Sequence, residues 1–86
     1  MTQNRSEYKK LFEEKKYSEL IFLIQTSKNE NELLAGEHNL LGVTRLLIQK
    51  NKENIFLSLD NFENAYLKEK TTKIGLDGLK NYINLK

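Results

Sequence analysis

One histidine, His38, and no cysteine stand in this chain of 86 residues. A catalytic or metal-binding histidine needs a second titratable group aimed at it, as base, orienter or further ligand. Glu37 is its sequence neighbour, but adjacent residues on a helix do not face each other. His38 therefore reads as a packing or surface residue. Glu13-Glu14, and Glu30 with Glu32, are paired carboxylates of the kind that general acid–base chemistry uses. No third group and no glycine-rich approach accompanies them, so they read as solvated helix faces. Gly75 and Gly78, in Ile-Gly-Leu-Asp-Gly-Leu, have a phosphate-loop look without the Lys-Ser/Thr that such a loop needs or a strand before it. Close helix packing is their alternative use, at about 1 kcal/mol each relative to alanine. The expectation is a non-enzyme with no cofactor and no metal.

Charge narrows the partners. Fourteen basic and 12 acidic residues leave a net charge of +2, with both signs mixed along the chain. Nucleic-acid binders carry a one-signed patch, so the basic pairs Lys9-Lys10, Lys15-Lys16 and Lys50/Lys52, each with acidic neighbours, make nucleic acid an unfavoured partner. The longest apolar run is Leu20 to Ile24, far short of the ~20 residues that span a bilayer. The opening Met1–Glu7 stretch lacks the apolar region of a secretory signal. Without cysteine there is no disulfide or thiolate metal site, and a cytoplasmic location is the expectation.

The elements that must position any site are helices. There is no proline, glycine occurs four times, and apolar residues recur at three- and four-residue spacings rather than in alternation. The spacing predicts helices near 5–14, 17–27, 31–50, 53–69 and 72–84, broken at the polar clusters 15–16, 26–29, 50–52 and 70–72. Ser27 or Asn29 is expected to cap the third helix, and Thr71 or Thr72 the fifth. Phe22 falls on the polar side of its helix and is expected to be exposed. Short connections imply antiparallel neighbours, hence a single all-α domain over 1–86.

Two helices share a sharper signature. Leu41-Gly42 offers a site where a neighbour can approach closely, because glycine has no side chain to hold the backbones apart. Ser58-x-x-x-Phe62-x-x-Ala65 offers the complementary small–aromatic–small face. This pair, with Phe12-Glu-Glu-Lys-Lys-Tyr17-Ser-Glu-Leu20 before it, resembles the tetratricopeptide repeat (TPR). Two and a half repeats are implied, over 1–34, 35–72 and 73–86, with about one turn inserted in the middle copy. Departures are plain. Lys15 stands at the turn glycine, Arg45 at an aromatic position, and the proline that ends the unit is missing. An unrelated antiparallel helical bundle is the other all-α reading.

The resemblance implies antiparallel hairpins stacked as a short right-handed array of about five helices. Its function would be that of a scaffold holding a peptide or helix of a partner protein in a groove. The groove positions carried over are Asn39, Val43 and Leu46, with Asn39 bonding a peptide backbone. Leu40 and Val43 stand where a carboxylate clamp would require Lys or Asn. The last helix leaves Leu76, Leu79 and Ile83 without the polar outer cap that repeat arrays normally carry. That edge would serve docking to a larger enzyme or machine, or a homodimer through the C-terminal helix.

Overall fold

Side-chain oxygens and one left-handed residue decide where the helices of this protein start and stop. The computed structural model describes residues 3–29 and 32–86; Glu30 and the expected helix start at Asn31 lie outside them. It contains α1 (Gln3–Glu13), α2 (Tyr17–Ser27), α3 (Ala35–Ile48), α4 (Lys52–Lys68) and α5 (Lys73–Leu85), with no strand among the described residues. The fold class is all-α.

α1 ends in a Schellman turn: Lys16 N–H donates to Leu11 C=O at 2.9 Å and Lys15 N–H to Phe12 C=O at 3.1 Å. Lys15 takes φ of 60° there, the left-handed conformation that glycine adopts without cost. Asn51 caps α4 by accepting from Asn54 N–H at 2.8 Å, and Thr72, of the two threonines offered, caps α5 by accepting from Gly75 N–H at 3.2 Å.

α3 differs from expectation. It begins at Ala35, not near residue 31, and neither Ser27 nor Asn29 caps it. Ser27 Oγ instead donates to Leu23 C=O of its own helix at 2.6 Å. Glu37 supplies the carboxylate at the α3 N-terminus, its Oε1 accepting from Leu34 N–H at 2.8 Å and from Lys28 Nζ at 3.1 Å. Leu34 is extended, and Leu33 before it is buried in the core.

Two packed regions meet on α3. The first is apolar: Tyr8, Leu20, Ile24, Leu33 and Leu41 are buried, with Leu11, Phe12, Ile21, Leu23 and Leu40 packed around them. Phe12 and Tyr17 close the α1–α2 turn edge to face, ring centroids 5.7 Å apart. The second joins α3, α4 and α5 through small residues. Gly42 faces the Phe62 ring so closely that a Cβ there would lie 2.5 Å from it, and Ser58 Oγ donates to Gly42 C=O at 2.8 Å. Gly78 sits against Ala65 Cβ and Phe62 C=O, each 2.9 Å from where its own Cβ would be. Gly75 lies beneath the Glu69 carbonyl, which a Cβ would meet at 1.5 Å. These two glycines are therefore packing sites for α5, as their spacing suggested. The radius of gyration of 12.0 Å equals the ~12 Å that scaling gives for a compact chain of this length, so the helices close on one another and do not splay.

Substitutions at the glycines should separate packing from propensity. Gly42→Ala should cost about 1–3 kcal/mol of unfolding free energy, because the Phe62 ring must move. Gly36, with nothing within 4 Å of its Cβ position, should tolerate alanine and gain up to ~1 kcal/mol. Lys15→Gly should gain about as much by relieving the left-handed turn. Urea unfolding followed by circular dichroism measures all three.

Candidate interaction surface

Polar residues that face α4 from α3 are enclosed, and their bonds run across the seam. Arg45 Nη1 donates to Asn61 Oδ1, and Asn61 Nδ2 donates to His38 Nδ1 at 3.2 Å. With Asn61 Oδ1 taken by Arg45, its amide nitrogen must face His38, so Nδ1 accepts and the ring proton sits on Nε2. His38 is 1% exposed and Asn61 fully buried, so this chain of bonds fastens α3 to α4 and is closed to a substrate. Asn54 Nδ2 adds bonds to the Arg45 and Gln49 carbonyls at 3.1 and 2.7 Å, tying the end of α3 to the start of α4. Of the two expected places for His38, packing or surface, it takes the first. Arg45 and Asn61 were missed as a pair; the available signal was an arginine at an aromatic repeat position, opposite an asparagine inside the Ser58–Phe62–Ala65 face.

The expected groove residues lie on one side of α3. Asn39 is half-buried and already bonded within the fold: its Nδ2 donates to the Ile74 carbonyl of α5 at 2.9 Å. Its Oδ1 is buried without a donor, 3.1 Å from the Cβ position of Gly78. Val43 and Leu46, one and two turns on along the same stripe of α3, are also half-buried. Asn39 thus anchors the last helix.

The expected edge residues lie on the other side of α5. Gly75 and Gly78 turn inward, while Leu76 and Ile83 are 49% and 63% exposed and Leu79 is half-buried beside them. Positions i, i+3 and i+7 make one stripe along a helix. Lys73 and Lys80 border it; Lys73 pairs with Asp77 at 3.1 Å, and Lys86 Nζ lies 5.4 Å from the Tyr82 ring centroid. Two exposed aromatics, Phe22 (68% exposed, as its polar helix side implied) and Phe56, lie on α2 and α4. Among the described residues no cluster of three His, Cys, Asp or Glu side chains forms a metal site, and no helix is long and apolar enough to cross a membrane. Comparison with known protein families, curated proteins and solved structures finds no match to this chain.

Burial pushes the Tyr8 phenol above its usual 10.0; proximity to Ser27 and Lys28 lowers it and Glu37 raises it further. Its hydroxyl is near Ser27 and Glu37 but meets no partner at hydrogen-bonding geometry. The folded chain therefore holds this proton more tightly than the unfolded chain. That contribution to stability is fully present below pH 10 and is lost as pH rises through the raised folded value. Tyr8→Phe should change stability at pH 7 by less than about 1 kcal/mol, since no bond is removed. It should also flatten the fall in stability above pH 10 relative to wild type, as read by thermal melts across that range.

Proposed function

We propose that this protein is a non-catalytic interaction module that takes a helix of a partner protein on the outer face of α5. The observation that carries this reading is the bare Leu76–Leu79–Ile83 stripe on a helix otherwise locked to α3 and α4 by Gly75, Gly78 and Asn39. Apolar surface costs about 25 cal/mol per Å² while it faces water, and a rigid helix holds the stripe ready, so little ordering entropy opposes docking. The TPR-like arrangement supports the same reading. In repeat register Leu76 and Ile83 correspond to His38 and Arg45, the residues of α3 that bond to Asn61 of α4. α5 then presents the positions on which the second helix of a hairpin would pack. The Asn39–Val43–Leu46 side is the weaker docking surface, because the Asn39 amide nitrogen is already donated to Ile74. A partner-binding role fits a cytoplasmic scaffold or an accessory segment of a larger assembly.

A photocrosslinker at Ile83 should trap one discrete partner in cell extract, while the same group at Asp60, on the outer face of α4, should not. Leu76→Asp, introduced beside the crosslinker at position 83, should abolish that adduct and shift unfolding free energy by less than ~0.5 kcal/mol, as surface changes do. Equal labelling from both positions would count against the assignment.

A further inference from the structure

The chemistry of the helix that would fill this face can be read from its borders, on the premise that the α5 stripe is the docking surface. The positive charge of the protein is concentrated there. Residues 69–86 hold four lysines against two carboxylates, Glu69 and Asp77, whereas residues 1–68 hold ten basic and ten acidic residues. The excess of the whole chain thus resides in α5 and the turn before it. Register adds a second point. Lys80 is exposed and stands where α3 has Gly42, the position at which Phe62 of α4 makes its close approach. A helix docking on Leu76, Leu79 and Ile83 meets an ammonium group where α4 meets bare backbone. It must stand farther off there and present an acceptor.

We infer that the partner is an amphipathic helix whose apolar stripe is flanked by Asp or Glu, seated on Leu76, Leu79 and Ile83 with a carboxylate against Lys80 and a second near Lys73. A second copy of this chain is the wrong occupant. Two-fold antiparallel pairing of α5 centres between Leu79 and Lys80 and brings Lys80 of one copy beside Lys80 of the other, a like-charge contact. An anionic lipid surface shares the attraction to lysine. The narrow i, i+3, i+7 stripe, however, is the shape that one helix offers another.

The test uses two helix-forming peptides with the same Leu/Phe stripe, one flanked by Glu and one by Lys, titrated into the full chain by fluorescence anisotropy at low and high salt. The Glu-flanked peptide should bind at least about tenfold more tightly at low salt, and the gap should narrow as salt screens it. Lys80→Glu should reverse the preference without changing the circular dichroism spectrum. Equal binding of both peptides would overturn the acidic partner while leaving the docking face standing. Absence of binding by either would remove both. A dimer in sedimentation that Ile83→Asp dissociates, or binding to phosphatidylserine vesicles with no peptide binding, would overturn the inference in favour of a second copy or a membrane.

Discussion

The approach of Phe62 to Gly42 is the contact on which the rest of this structure depends. It sets the separation of α3 and α4, and that separation decides which other groups meet. At this distance Ser58 reaches the Gly42 carbonyl, and Asn61 lies between Arg45 and His38. The seam is unusual in being polar as well as tight. Burying such groups is costly unless each finds a partner, so the bonds across the seam specify one register of α4 on α3. A slip of one residue would leave Arg45 and His38 facing the wrong side chains.

α5 is placed by the same economy of volume. Gly75 admits the Glu69 carbonyl, Gly78 admits Ala65 and the Phe62 carbonyl, and Asn39 fixes the start of the helix through Ile74. Three small-residue contacts hold the inner face of α5 so closely that the outer face is fully defined. A stripe of Leu76, Leu79 and Ile83 on a mobile helix would be a folding accident. On a helix clamped in this way it is a preformed surface, bordered by lysines.

Much of this was legible in the residues, and the exceptions have physical causes. All five helices follow from three- and four-residue apolar spacing, and their breaks from polar clusters, because no proline or long loop interrupts the pattern. The Leu41-Gly42 and Ser58–Phe62–Ala65 signature foretold the α3–α4 contact, and Gly75 and Gly78 foretold close packing. The start of α3 was misplaced because Ser27 bonds its own helix and Leu33 is needed in the α1–α2 core. The Arg45–Asn61–His38 chain was hidden because its members are separated by 16 and 23 residues, and a polar side chain in sequence looks solvated until its partner is found. Asn39 reads as a groove residue from repeat register alone; only the fold places the Ile74 carbonyl within its reach.

In the proposed reading the C-terminal half has two sides: Asn39 of α3 holds α5, and the outer face of α5 takes a partner. Methyl NMR of the full chain titrated with the Glu-flanked helical peptide tests that division most directly. Chemical-shift changes concentrated on Leu76, Leu79 and Ile83, with Val43 and Leu46 unmoved, are the predicted result. Changes centred on Val43 and Leu46, with the α5 stripe unmoved, would contradict it.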